Sequence, residues 1–204
     1  FWEMMMCYMY QSQWEPAAGI AGRLLASSKW SPATFAYFKV ANLLSKPRCT
    51  REEQAEMEEL VSRIPAWKQR IAGKSIPIEK FAVAKAERFW AQGKTLVLPG
   101  LELVYLWNGF VLIGPRLGPI QEILTATEEA LRHLDKEEDK DNLALCLLLK
   151  ACCLRSLGRT EEALDLFQNV VELKAQIAHD TYLPAYAAGE IGLTFLSLGR
   201  VEEA

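Results

Sequence analysis

Gly73-Lys74-Ser75 is the stretch whose residue types come nearest to doing chemistry. A phosphate-binding loop uses glycines to bare its backbone amides, a lysine to reach the phosphates and a hydroxyl to hold a magnesium ion. The full motif places its first glycine where this chain has Lys68, and it follows a strand, whereas the residues before Gly73 read as helix. A cap and turn ahead of a helix over 77–91 accounts for the triplet, and a nucleotide-binding regulator is kept only as an alternative. Metal and thiol chemistry find less support. His133 and His179 are the two histidines of the chain, each with apolar neighbours at a helix end. Cys152 and Cys153 are adjacent, so on a helix their side chains diverge by about 100° and do not share one metal ion. No C-x-x-C, H-E-x-x-H or G-x-S-x-G pattern occurs. The acidic pairs Glu161-Glu162 and Glu202-Glu203 fall where helices begin, and carboxylates suit a first turn. The expectation is a protein without catalytic residues, cofactor or metal.

The elements that hold these residues are announced by a repeated phrase. LRSLGRTEEA (Leu154 to Ala163) returns as FLSLGRVEEA (Phe195 to Ala204). An apolar helix ends at Gly158, which tolerates the left-handed turn that closes a helix. Thr160 and the acids behind it start the next helix, and the small Ala163 lets that helix pack closely. Helix, glycine turn and helix with alanine at this place is the grammar of tetratricopeptide repeats. From Gly158 to Gly199 is 41 residues, against about 34 in the standard unit. Helices longer by about two turns in total are expected to absorb the difference. HEAT-like repeats, with periods of about 40–47, are the runner-up.

With 23 basic and 26 acidic residues the net charge is −3, so there is no basic footprint for nucleic acid. Half of the residues are hydrophobic, as in a folded protein with a sizeable core. The five cysteines lie in apolar helical contexts and read as reduced, buried thiols of a cytoplasmic protein. The chain opens on FWEMMMCYMY and stops at VEEA, and it is expected to be a fragment of a longer repeat protein. Helices are expected over 1–12, 16–27, 31–45, 50–64, 77–91, 99–113, 119–134, 140–157, 160–178 and 182–198. Prolines suit several of the starts, and Thr50 with Glu53 forms a capping box. Three regions follow: N-terminal helical pairs over 1–64, an irregular helical segment over 65–119, and tetratricopeptide-like repeats over 120–204. The fold class is all-α, a helical-hairpin superhelix with a less regular middle.

Residues 96–113 are apolar enough to raise a membrane or lipid-droplet adaptor as an alternative. Glu102 and Asn108 are costly in lipid, so a helix enclosed by other helices is the expected reading. The six tryptophans are expected to pack between helices, and any left exposed is a candidate anchor. The inner helices offer Tyr37, Phe38, Ala41, Lys150 and Arg155 as a candidate protein-binding groove. Lys39, Asn42, Lys150 and Arg155 do not complete the clamp by which some tetratricopeptide domains grip a C-terminal carboxylate.

The less ordinary phrases agree with one family. RIAGKSIPIEKFAVAK (70–85), LPGLELVYLWNG (98–109), Trp30-Ser31-Pro32-Ala33-Thr34, LLKACCLRSLGRTEEA and DTYLPAYAAGE resemble the tetratricopeptide repeat protein 39 family, which is related to the fungal inclusion body clearance protein. The resemblance covers essentially the whole chain. It implies an α-helical scaffold without catalytic or cofactor residues, working through protein partners in protein turnover, inclusion clearance or lipid-linked processes. The expected function is a non-enzymatic adaptor that buries an amphipathic helix or extended peptide in a concave groove. Titrating the chain with ATP and magnesium in a calorimeter is expected to release no heat. Heat that is lost in Lys74→Ala would establish the nucleotide alternative instead.

Overall fold

A computed structural model of the chain describes residues 1–28, 30–69, 74, 76–114 and 116–203. Apart from an isolated bridge residue at Lys74, the regular structure among them is helical. The helices are α1 (Trp2–Tyr10), α2 (Trp14–Ser27), α3 (Pro32–Leu44), α4 (Arg51–Trp67), α5 (Pro77–Ala91), α6 (Pro99–Leu106), α7 (Gly109–Ile113), α8 (Leu117–His133), α9 (Lys140–Ser156), α10 (Thr160–Glu172) and α11 (Leu183–Ser197). Short 3-10 turns follow α10 at Leu173–Ala175 and α11 at Val201–Glu203. The contacts separate two compact units, Phe1–Trp107 and Asn108–Ala204, a division that falls inside the expected 65–119 segment.

Local chemistry explains where most helices begin. Pro32, Pro77, Pro99 and Pro184 take the first positions of α3, α5, α6 and α11, where their missing N–H costs nothing. Thr50 accepts from the amide of Glu53 while Glu53 accepts from the amide of Thr50, so α4 carries the expected capping box. Three expectations need correction. The helix expected over 160–178 ends at Glu172 and gives way to a 3-10 turn. α4 does not stop at residue 64 but runs through Pro65 to Trp67. A proline this close to the end removes a single bond of the last turn, and its fixed φ is helical. The helix expected over 99–113 is two helices, parted at Asn108 with φ 57°, a conformation that asparagine tolerates better than most residues.

In the first unit α3 is the centre, packed by α2, α4, α5 and α6. Its Phe38 is fully buried, with its ring 5.2 Å from Trp2 and 5.0 Å from Trp107, both edge-on. Edge-on pairs like these add to what their burial contributes. Charge is also buried here, always with partners. Glu79 of α5 accepts from the Ser31 hydroxyl (2.7 Å) and from the amide of Gln69 (2.7 Å). Ser31 therefore ties α3 to α5, and its side chain caps no backbone amide. Lys85 of α5 meets Glu102 of α6 at 2.5 Å, both almost wholly buried. Removing one partner of such a pair costs about 3–5 kcal/mol, because the other charge is left dry and unpaired.

In the second unit α9 packs between α8 and α10, and α10 carries α11. The two copies of the phrase build the same turn. Gly158 and Gly199 have φ of 78° and 73°, and the amides of Arg159 and Arg200 both bond back to the carbonyls of Leu154 and Phe195 at 2.9 Å. The long period is not absorbed as expected. The helices within that period, α10 with 13 residues and α11 with 15, are of ordinary length. Much of the excess lies in the connection from Leu173 to Tyr182, which the carboxylate of Asp141 holds by accepting from the amides of Ala178, His179 and Asp180 at 3.1, 2.8 and 2.6 Å.

Two glycines test the packing of the first unit. A Cβ at Gly100 would stand 2.5 Å from the Ser45 hydroxyl oxygen and 2.7 Å from the Trp14 ring, whereas at Gly19 it would meet open space. Gly100→Ala is expected to destabilise by about 1–3 kcal/mol and Gly19→Ala to stabilise by about 0.5–1 kcal/mol. Urea unfolding of the two variants against the parent checks both signs.

Candidate functional site

α9 is the helix around which a site is built in the second unit. It starts at Asp139, whose carboxylate accepts from the amide of Asn142 at 3.1 Å. Most of its side chains are buried, because α8, α10 and α11 all pack against it. One stripe stays half-exposed: Leu143, Leu147 and Lys150, spaced so that they share a helix face. The next repeat unit places Ala188 and Ile191 of α11 at the positions of Leu147 and Lys150, and both are at least partly exposed. α9 and α11 are in contact, and the 41-residue period puts Ala188 and Ile191 on the equivalent side of α11.

Charge frames this face. Lys140, one turn before Leu143, meets Glu137 at 3.1 Å, and Lys150 meets Glu128 of α8 at 2.9 Å. Glu137 is open to water and Glu128 nearly half so, so both pairs are weak and exchangeable. Arg155 is different. Its guanidinium donates to Thr194 (3.0 Å) and to the Glu190 carbonyl (3.3 Å), meets the Glu190 carboxylate at 2.5 Å and lies 5.5 Å from the Phe167 ring. It is a bolt from α9 to α10 and α11.

The five residues expected to line a groove are thus placed in two units. In the first, Tyr37, Phe38 and Ala41 are closed into the core, with the Tyr37 ring 5.5 Å from Phe81. In the second, Lys150 borders the half-exposed stripe and Arg155 joins helices. Leu143 and Leu147 were not singled out from sequence. Their spacing was available, but α9 is apolar on nearly every side, so periodicity could not tell which face stays open.

Other chemistry-bearing groups are restrained by burial. The thiols of Cys146 and Cys153 are pushed up to about 12 by burial, and that of Cys152 is raised for the same reason. Such thiols are poor nucleophiles. Cys49 lines a cleft of about 500 Å³ with Leu44, Met57, Phe89 and Lys94. Burial raises its thiol as well, with Glu53 adding, and the thiol donates to the Leu43 carbonyl at 3.0 Å. Gly73 and Ser75 of the nucleotide alternative lie outside the described residues. No three His, Cys, Asp or Glu side chains among the described residues are grouped to hold a metal ion. No helix among them is long and apolar enough to cross a membrane. Of the tryptophans, Trp30 and Trp90 are exposed, each still edge-on to a phenylalanine.

Comparison with known proteins agrees with this architecture. A sequence model of the family described as Iml2/Tetratricopeptide repeat protein 39 matches residues 1–157. The tetratricopeptide repeat protein ttc-39B of Caenorhabditis elegans is 29% identical over 205 residues, an alignment that covers all of this chain and 35% of that protein. The chain therefore spans about a third of the length of that curated relative. No solved structure matches it.

The contrast between the two cations can be measured. Arg155→Ala is expected to destabilise by about 2–4 kcal/mol, since it strands a half-buried carboxylate and removes the bonds to Thr194 and the Glu190 carbonyl. Lys150→Ala is expected to cost less than about 1 kcal/mol. Guanidinium unfolding followed by circular dichroism separates them.

Proposed function

The chain belongs to the Iml2/Tetratricopeptide repeat protein 39 family, and from that premise we propose that it is a non-catalytic helical-repeat scaffold that binds protein segments. The observation that carries the reading is the half-exposed stripe Leu143–Leu147 between two lysines whose partners are exposed and replaceable. An apolar strip about two turns long accepts the anchor residues of an amphipathic helix or an extended peptide. Acidic residues flanking those anchors would take over Lys140 and Lys150 from Glu137 and Glu128 at little net cost, because exposed pairs are worth little. The partner class is therefore an apolar segment with acidic flanks.

Arg155 supports the reading from behind. By fixing α11 against α9 it holds the equivalent side of α11, with Ala188 and Ile191, in place, so little of the binding energy goes into ordering the face. Tyr37, Phe38 and Ala41 contribute to the stability of the first unit and offer no surface of their own.

Proximity labelling of the full-length protein in cells tests the proposal. Leu147→Asp is expected to remove a specific set of labelled proteins, and Lys150→Glu to weaken the same set by about ten-fold or less. Both variants should keep the parent's circular dichroism spectrum. An unchanged set of neighbours in Leu147→Asp would overturn the assignment to this face.

A further inference from the structure

The cleft that Cys49 lines in the first unit has no part in the proposed binding face, and its walls differ in kind. Leu44 at the end of α3, Met57 of α4 and Phe89 of α5 make an apolar lining, and the last two are buried. Glu58 of α4 and Lys94, just beyond α5, bring one charge of each sign. The volume of about 500 Å³ falls within the roughly 300–1,000 Å³ of sites that hold small organic molecules.

Lys94 comes to this cleft by a strained route. Gly93 and Lys94 both have left-handed backbone, at φ 70° and 68°, and a lysine adopts that conformation only at a cost. The Lys94 amide closes α5 by donating to the Phe89 carbonyl at 2.7 Å. The reversal carries the lysine back to α4, where its ammonium meets Glu58 at 2.9 Å. The two partners are not held alike. The Glu58 side chain is 37% exposed and follows the buried Met57 on its helix, whereas that of Lys94 is 53% exposed. Lys94 Nζ also lies 5.7 Å from the centre of the exposed Trp90 ring, which offers its charge another seat. Lys94 can therefore leave the pair at little cost, while Glu58 stays with α4.

We infer that this cleft binds a small organic cation. Its primary ammonium takes the place of Lys94 on Glu58, and its apolar body lies against Leu44, Met57 and Phe89. The sign of the ligand follows from α4, whose residues 51–60 hold five glutamates against one arginine. Glu53 and Glu56 are already engaged by Lys46 and Lys39. An anion would have to displace Glu58 from Lys94 and then sit beside these carboxylates. A cation displaces only the lysine, which has Trp90 and water to receive it. Cys49 adds no competing charge, because burial and Glu53 keep its thiol protonated.

Cys49 serves as the reporter in the test, and Cys7, which is exposed, as the internal reference. The folded chain is labelled with a maleimide and the rate at each cysteine is read by mass spectrometry. Phenylbutylamine, at several times its dissociation constant, is expected to slow labelling of Cys49 about five-fold or more and to leave Cys7 unchanged. Glu58→Gln should remove this protection. Lys94→Gln, which takes away the competing charge, should lower the concentration of amine needed. Both variants should keep the parent's circular dichroism spectrum, since both side chains are partly exposed. Calorimetric titration with the same amine is expected to rank the three proteins in the same order without using the thiol. An unprotected Cys49 with no heat of binding, protection that survives Glu58→Gln, or stronger protection by phenylbutyrate than by the amine would each overturn the inference.

Discussion

A helical hairpin can turn only one of its sides inward on itself, and the apolar surface left over has to find another helix. That constraint shapes both units. In the first, α3 meets it by being enclosed on four sides, so that even Asn42 and Thr34 are buried. The enclosure brings ionisable groups inside, and each of Glu79, Lys85 and Glu102 has its counterpart within hydrogen-bond distance. These contacts contribute less to net stability than to register, because a shift of α5 or α6 by one residue would leave charges dry and unpaired. In the second unit the constraint is met by repetition, with α9, α10 and α11 each covering part of the previous helix.

The proposed binding face is what remains when that covering is nearly complete. Leu143 and Leu147 are open only because α8, α10 and α11 leave one side of α9 to solvent. The cations near it divide their labour by burial. Lys150 faces a partner in water and can exchange it, while Arg155 is held by several acceptors at once and acts as structure. The cysteines of α9 are packed as small apolar residues, and their depressed acidity follows from the same burial.

Much of this was legible in the residues themselves. Prolines at helix starts, the Thr50–Glu53 box and the two glycine turns are local signals, and the helix starts they set lie within a few residues of expectation. What was illegible depends on residues distant in sequence. Pro65 sits inside α4 because only its place near the end of the helix matters, and the local pattern did not show where α4 ends. The break at Asn108 was hidden because Asn108-Gly109, a turn pair, sits inside a window that is apolar on both sides and reads as one helix. Tyr37 and Phe38 look like groove residues until α5 and α6 are known to lie against α3. The open stripe on α9 could not be chosen from sequence, since that helix is apolar almost all round and only its neighbours decide which side is left.

Asp141 carries a consequence of another kind. It belongs to the first turn of α9, yet it gathers three successive amides from the connection between α10 and α11. The extra residues of the long repeat are thereby folded down at a point that the hairpin already owns. Repeat length is in this way uncoupled from stacking geometry: the connection can grow or shrink so long as three amides still reach one carboxylate. Those amides also become a built-in gauge of the unit. Their exchange with solvent is expected to follow the docking of α9, so that a loop on the surface would exchange at the pace of the core.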